Sequence, residues 1–469
     1  MNSKRPWIRS QLLTGGNKKS PAQDVSEFLS TSPNVIIGTP GRVHELLSSP
    51  FVHSSQVELV VLDEADRLLD SEFNKEMSSV LAMLPKQRRT GLFSASLSEA
   101  SSRVFYTGLR NPVKISVKVK GHTVSDMRTP LSLQLNYVVV RPTHRIPVII
   151  RLLEKFKPSK TIIFLPTCAS VDYFQHIYPV AIPSQFRIIA LHGKQPQHAR
   201  EKSLKAFSEA LLPVILLATD VAARGLDIPQ VNLIIQEPPS DSKQFLHRSG
   251  RAGRAGVTGL AVTFLLPGEE ESYIPFLALR HIHVNPLTGL HLTVDDDEAR
   301  RICGRIRNTV LQDRLLHDKA QQAFVGAVQA YAKHTARAIF TINNLKENWQ
   351  ELADAWGLLK MPRMPENRGQ SVDLPSIDWS AYKYQDKRKE QLRVEDRKEG
   401  ASTSQFGRAG SRQSLAWTGK RARVEKRKVQ REKRQARREF SRKQKMTDEE
   451  RRNAEQLRLL IEQVKGAQA

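Results

Sequence analysis

Between residues 34 and 266 the chain lays down nine short runs of β-branched and aliphatic residues, with segments of helical spacing among them. The runs are NVIIG at 34–38, VELVVLD at 57–63, TGLFS at 90–94, LNYVVV at 135–140, KTIIFL at 160–165, FRIIAL at 186–191, PVILLA at 213–218, VNLIIQ at 231–236 and GLAVTFLL at 259–266. Strands buried on both faces read as continuous apolar runs, and parallel neighbours need a long, usually helical crossover. The pattern therefore predicts an α/β fold with mostly parallel, buried sheets. Three runs precede a polar, Lys-rich, Pro-containing stretch near 111–133 and six follow it, which predicts two α/β domains joined by a linker at 116–133.

After residue 285 the strand signal gives way to helical periodicity. The segments RRICGRIRNTVLQDRLL and KAQQAFVGAVQAYAKHTARAIF predict a helical extension over 286–365. From 366 to 469 Pro, Gly, Ser and charge replace apolar spacing, so this tail is expected to be largely disordered and to pack little core. Residues 420–445 carry 14 Lys or Arg against 3 Glu, and the whole chain of 469 residues has a net charge of +25. A charge of that sign and size points to a polyanionic partner, with nucleic acid ahead of a membrane surface. The basic run itself reads equally well as a phosphate-binding segment, a nuclear-import signal or a solvated helix. Two cysteines, Cys168 and Cys303, exclude a disulfide framework and a thiolate-rich zinc site. No run reaches the roughly 18 apolar residues of a membrane span.

Four short segments carry chemistry. Asp63-Glu64-Ala65-Asp66 closes a predicted strand, where open α/β sheets bind ligands. An Asp there can hold Mg2+ through water and an adjacent Glu can orient a nucleophilic water, although a bare pair of acids after a strand more often caps the next helix. Ser94-Ala95-Ser96 closes the following strand and taken alone is an ordinary helix cap. Ala218-Thr219-Asp220, running on to Arg224-Gly225-Leu226-Asp227, follows a third strand, and its hydroxyl and amides suit a sugar-phosphate chain. His247-Arg248-Ser249-Gly250-Arg251-Ala252-Gly253-Arg254 sets Arg251 and Arg254 three residues apart, so that both reach one cluster of phosphates.

Taken together and in this order, these four segments resemble the DEAD-box RNA helicases over about residues 10–270. The resemblance implies two RecA-like domains, the first at 1–115 and partial, the second at 134–285, with ATP and Mg2+ between them and RNA crossing both. It assigns catalysis to Asp63, Glu64, Arg251 and Arg254, with Asp63 on the metal. Nucleotide contacts fall to Asp66, Ser94, Ser96, Gly225, Asp227, His247 and Arg248. RNA contacts fall to Thr39, Pro40, Gly41, Arg42, Gln197, Arg200 and Thr219, and the Gly15-Gly16 pair looks like another element on the RNA side. Phe164 to Thr167 stands where the second domain's first motif ends. Ser96 replaces the family's usual Thr, and Gln236-Glu237-Pro238-Pro239 is one residue short of the usual aromatic-Asp-Pro segment.

The family's P-loop, GxxxxGK[ST], is missing; Thr14-Gly15-Gly16-Asn17-Lys18-Lys19-Ser20 lacks its spacing. The expectation is that Met1 marks a fragment boundary or a misplaced start. Segments 322–334 and 358–365 resemble the extension of DEAD-box proteins acting on pre-ribosomal RNA. Asp378-Trp379 with Ala381-Tyr382-Lys383-Tyr384-Gln385-Asp386-Lys387 resembles the fungal subfamily serving 60S subunit maturation. That resemblance implies pre-rRNA and pre-60S particles as partners, no membrane, a monomer outside the particle, and a nuclear, nucleolar site. The competing readings are a non-hydrolysing RNA-binding scaffold and a DNA helicase, and the spacing of Phe324, Val325 and Tyr331 reads more simply as helix core than as a ligand site.

Overall fold

The computed structural model describes residues 8–15, 19–68, 74–94, 113, 115, 132–220, 231–241, 243–254, 257–288 and 292–402. The chain divides into two compact units, residues 1–359 with 376–383, and residues 360–375 with 384–469.

The first unit begins with β1 (Ser10–Leu13), α1 (Pro21–Thr31), β2 (Val35–Gly38), α2 (Pro40–Leu47), β3 (Leu59–Leu62), α3 (Ala65–Leu68), α4 (Asn74–Met83) and β4 (Arg89–Leu92). Strands β1 and β2 form one parallel pair and β3 and β4 another. Ser20 starts α1 with a reciprocal capping box to Gln23. Small cores lie under each pair, around Leu13, Leu46 and Val52 and around Leu62, Ala65 and Met77. The opposite faces carry Leu12, Ile37, Leu59 and Val61, all more than half exposed.

A seven-stranded, all-parallel sheet follows, built from β5 (Leu133–Val139), β6 (Lys160–Phe164), β7 (Arg187–Leu191), β8 (Val214–Ala218), β9 (Leu233–Gln236), β10 (Gly259–Leu265) and β11 (Asn285–Pro286) in the order β11-β5-β10-β9-β6-β8-β7. Strands β6, β8, β9 and β10 are buried at every position, which is why they read as unbroken aliphatic runs. Between them run α5 (Arg145–Phe156), α6 (Cys168–Ala181), α7 (Gln197–Ser208), α8 (Lys243–Ser249) and α9 (Tyr273–Ala278). The nine predicted runs all contain strands; β1 and β11 are additions. The predicted linker lies almost wholly outside the described residues.

The extension is helical: α10 (Asp296–Gln312), α11 (Arg314–Ala332), α12 (Ile342–Lys346) and α13 (Trp349–Ala355). Helix α11 runs along α6, where a β-carbon on Gly326 would stand 3.3 Å from the Thr167 hydroxyl. Phe324, Val325 and Val328 are buried as core. The Trp356 ring lies parallel to Tyr173 at 6.1 Å, and the Tyr173 hydroxyl donates to the Trp356 carbonyl at 2.6 Å. Such an aromatic seam joins the extension to the sheet domain through both area and direction. Residues 376–383 return as a strap on the α10–α11 corner. There the Tyr382 hydroxyl reaches the carbonyls of Val310 (2.5 Å) and Asp313 (3.0 Å), and Arg314 donates to the carbonyls of Trp379 and Tyr382.

In the second unit, Asn367 ties a short turn through the Met364 amide and the Pro362 carbonyl. Helix α14 (Lys387–Ser402) leaves Leu392 and Val394 exposed, with Arg393 paired to Glu390 and the Tyr384 amide donating to Glu390. The basic run at 420–445 lies outside the described residues. Among the described residues, no helix is long and apolar enough to cross a membrane.

Candidate functional site

The acidic turn sits at the carboxyl end of β3 and is stapled to β4. Phe93 donates to the Leu62 carbonyl and Ala65 to the Phe93 carbonyl, both at 2.9 Å, so Asp63, Glu64 and Ser94 are held at one edge. Asp63 is exposed, and its Oδ1 accepts the Glu64 amide at 2.9 Å. Its carboxylate therefore braces the turn rather than capping α3. Glu64 takes φ +49°, a left-handed conformation uncommon outside glycine, and such strain marks functional turns. Asp66 lies in the first turn of α3, and Ser96 lies outside the described residues.

The Thr39-Pro40-Gly41-Arg42 turn opens α2. Thr39 donates to the Leu13 carbonyl at 3.0 Å, and Pro40 occupies the first helical turn, where no backbone donor is needed. Thr39 and Gly41 are exposed, and a β-carbon on Gly41 would meet nothing within 4 Å. Arg42 is engaged within the protein: it pairs with buried Asp24, with Glu45 at 3.0 Å and with the Lys19 carbonyl at 3.2 Å. Its guanidinium fixes the turn, and the outward-facing groups are Thr39 and Gly41. Gly15 stands in open space, and Gly16 lies outside the described residues.

In the seven-stranded sheet, the register Leu191↔Ala218 brings the ends of β7 and β8 to the same carboxyl edge. Thr219 follows directly, and its buried hydroxyl has no hydrogen-bond partner. The segment after β7 leads to Gln197 and Arg200 at the start of α7, where Gln197 Oε1 and Arg200 Nε are also buried without partners. Gln197 donates its amide to Glu201 at 2.9 Å. Three polar side chains left partly unsatisfied along one edge suit an incoming hydrogen-bonding ligand. Gly225 and Asp227 lie outside the described residues.

Arg248 points inward. Its Nε and Nη2 donate to the two oxygens of Asp220 (2.9 Å for Nη2), Nη1 donates to the Glu237 carbonyl at 2.9 Å, and the group lies 5.1 Å from the Phe164 ring centre. It is thus a strut between β8 and the β9–α8 connection. Arg251 and Arg254 each return Nε to the carbonyl four residues earlier, His247 at 3.1 Å and Gly250 at 2.9 Å, which aims both guanidiniums from one turn. Gly253 holds φ +71° with the Ser132 carbonyl 3.1 Å from where a β-carbon would stand. His247 lies half-buried on α8.

Sequence reasoning missed the partners behind this turn. Buried Gln236 donates to Ser249 (3.1 Å) and Thr263 (3.3 Å); a Gln ending an apolar strand was the available signal. The shortened Glu237-Pro238-Pro239 segment is accommodated, because the Gln244 amide still donates to the Asp241 carbonyl at 3.0 Å and turns the chain into α8. Nothing in the local sequence announced Arg145 or Glu270, and Tyr331 and His334 were visible only as part of the extension's segment, not as partners of this turn. Burial raises the Glu270 carboxyl above its ordinary range, and burial pushes His334 down to about 4.

Among the described residues, no cluster of three or more His, Cys, Asp or Glu forms a metal cage. One exposed carboxylate with an adjacent acid fits Mg2+, which keeps most of its waters and takes one or two protein oxygens beside substrate phosphates.

Residues 3–104 match the DEAD/DEAH box helicase model and 144–256 the helicase conserved C-terminal domain. Residues 313–364 and 384–469 match the C-terminal extension and C-terminal tail of the ATP-dependent rRNA helicase SPB4-like proteins. The ATP-dependent rRNA helicase spb4 of Sclerotinia sclerotiorum is 48% identical over 98% of this chain and 75% of its own length. That of Phaeosphaeria nodorum is 49% identical over 87% and 66%, and that of Botryotinia fuckeliana 50% over 82% and 62%. The chain thus spans 62 to 75% of the length of these relatives. Solved structures of Mss116p bound to ssRNA and AMP-PNP and of Mss116 bound to ssRNA and UDP-BeF share the fold, with TM-scores of 0.61 and 0.63 at 19% and 20% identity over 78% of this chain and 75% and 76% of theirs. With both helicase domains, the extension and the tail all matched, the chain belongs to the SPB4-like branch of the DEAD-box ATP-dependent RNA helicases.

Proposed function

We propose that this chain works as an ATP-dependent RNA helicase on pre-ribosomal RNA, within pre-60S particles in the nucleolus. The observation that carries the reading is that one chain holds both an acidic turn on β3 with Glu64 in a left-handed conformation and a turn after α8 whose two arginines are anchored on backbone carbonyls. ATP with Mg2+ supplies a phosphoanhydride whose cleavage resets the protein. Asp63 would hold Mg2+, which would offset charge on the ATP phosphates, and Glu64 would position the attacking water. Arg251 and Arg254 neutralise charge on the transferring phosphoryl group. Asp66, Ser94, Ser96, Gly225, Asp227 and His247 line the nucleotide. Arg248 contributes by fixing α8. Thr39, Pro40, Gly41, Gln197, Arg200 and Thr219 face the RNA backbone, with Arg42 securing the first of these turns; a strand held by its backbone on two sheets is bent away from duplex geometry.

The test is RNA-stimulated ATP hydrolysis by the 469-residue chain and by the same chain preceded by a segment carrying GxxxxGK[ST], each beside its Glu64→Gln variant. Turnover that Glu64→Gln abolishes, with RNA binding retained, supports the helicase. RNA binding with no turnover in either form replaces it with the scaffold reading. Fluorescence localisation of the tagged protein addresses the nucleolar assignment, and a cytoplasmic signal would overturn it.

A further inference from the structure

The connection from β9 to α8, residues 237–241, is held from outside its own domain. The Thr335 amide, just beyond α11, donates to the Ser240 carbonyl at 2.8 Å. The neighbouring His334 ring is immobilised: its Nδ1 accepts the Ala336 amide at 3.0 Å, and it lies 3.8 Å from the Phe340 ring centre.

A second contact line runs through charge. The Tyr331 hydroxyl on α11 donates to Glu270 at 2.8 Å, and the other Glu270 oxygen accepts the Leu266 amide at 2.8 Å. Arg145, at the start of α5, ion-pairs with Glu237 and also acts on the Glu270 carboxylate. The Glu237 carbonyl in turn receives Arg248. Tyr331, Glu270, Arg145, Glu237 and Arg248 line one cavity of about 100 Å3.

This arrangement exceeds what packing the extension on the sheet domain requires. The aromatic seam of Tyr173, Phe174 and Trp356 already joins the two. The Thr335 amide bonds the short connection directly, while the Tyr331–Glu270 pair lines the same cavity as Arg145, which pairs with Glu237 of that connection. Helix α8 has only seven residues, so a shift of its start is passed to Arg251 and Arg254. A displacement near 1 Å at a catalytic group is enough to cost about 100-fold in rate.

We propose that Tyr331 and Thr335 of the helical extension are positioning residues for the two arginines that follow α8. The extension thereby sets the geometry of phosphoryl transfer without touching the nucleotide. The inference rests on the proposed role of Arg251 and Arg254.

The test uses the full chain and three variants. Tyr331→Phe removes one hydroxyl, and Thr335→Pro removes one amide donor. Tyr382→Phe loosens the extension at the α10–α11 corner, away from the connection. Hydrogen exchange of the amides at 243–250 is read for each, with kcat and KM for ATP and the affinity for RNA. Tyr331→Phe and Thr335→Pro are expected to speed exchange in α8 at least about 10-fold and to lower kcat by a similar factor, with KM and RNA affinity held within about twofold. Tyr382→Phe should leave α8 exchange as in the parent. Should Thr335→Pro fail to fold, Tyr331→Phe alone decides. Unchanged α8 exchange, or acceleration by Tyr382→Phe to the same degree, overturns the proposal. Absence of turnover both in this chain and in the form preceded by the GxxxxGK[ST] segment defeats the functional reading, while the exchange result still rules on the positioning.

Discussion

Arg248 grips both oxygens of Asp220 while a third nitrogen holds the Glu237 carbonyl, so one buried guanidinium ties the end of β8 to the connection entering α8. Removing one member of such a pair strands a charge away from water, at a cost of about 3 kcal/mol or more. Asp220→Ala should therefore lower the unfolding midpoint in urea. Arg248→Lys should not restore the parent, because an ammonium cannot reproduce the two-pronged contact. A melt in which Arg248→Lys matches the parent would remove the strut assignment.

His334 carries a pH dependence of definite sign. Burial, with Arg248 nearby and only the Pro239 carbonyl opposing, holds its folded-state pKa at about 4, below the 6.5 of an exposed imidazole. Between these values the unfolded chain takes up a proton that the folded chain refuses. Stability is whole above pH 6.5 and declines as pH falls toward 4, by on the order of 3 kcal/mol. Comparing chemical denaturation of the parent and His334→Phe at pH 7 and pH 5 isolates this contribution. An equal loss in both proteins would assign the slope to other groups.

Gly253 is required by its backbone. At φ +71°, with the Ser132 carbonyl 3.1 Å from a new β-carbon and the Ser132 hydroxyl donating to the Gly253 carbonyl at 2.8 Å, Gly253→Ala is opposed by both conformation and space. A loss of about 1–2 kcal/mol follows, with a disproportionate fall in ATP turnover because the turn carries Arg254. Turnover equal to the parent at matched folded fraction would show that the turn tolerates the shift.

Tyr382 supplies one hydroxyl to two carbonyls at the α10–α11 corner. Tyr382→Phe leaves both without that donor and should cost about 1–2 kcal/mol locally. Limited proteolysis should then cut within 376–383 faster than in the parent, while the sheet domain persists. Cleavage at the parental rate would show that Trp379 and the Arg314 bonds suffice.

The fold was legible because seven-stranded parallel sheets leave a blunt trace: β6, β8, β9 and β10 are buried on both faces, so most of their residues are apolar, with Lys160, Thr161, Gln236 and Thr263 as the buried exceptions. Ser10–Leu13 escaped notice because Ser10 and Gln11 break the run, although buried Gln11 donates its amide to the Asp24 carbonyl at 2.8 Å. Asn285–Pro286 is too short to have a period. At the site, the acids, hydroxyls and arginines were visible as motifs, but whether an arginine faces a ligand or a carboxylate depends on residues far away in sequence. Arg42 turns to Asp24 and Arg248 to Asp220, and neither pairing is written locally. The extension's grip on Ser240 spans nearly a hundred residues and leaves no pattern that a window along the chain can detect.

The strap at 376–383 gives the extension a mechanical role. The chain leaves the unit at Leu359 and re-enters it at Ser376 before departing again after Lys383. A pull on any residue beyond 384 is therefore borne first by Trp379 and Tyr382, and the load enters at the corner between α10 and α11. Tension on the tail is expected to be taken up there, by the hydrogen bonds of that corner, before it reaches the rest of α11.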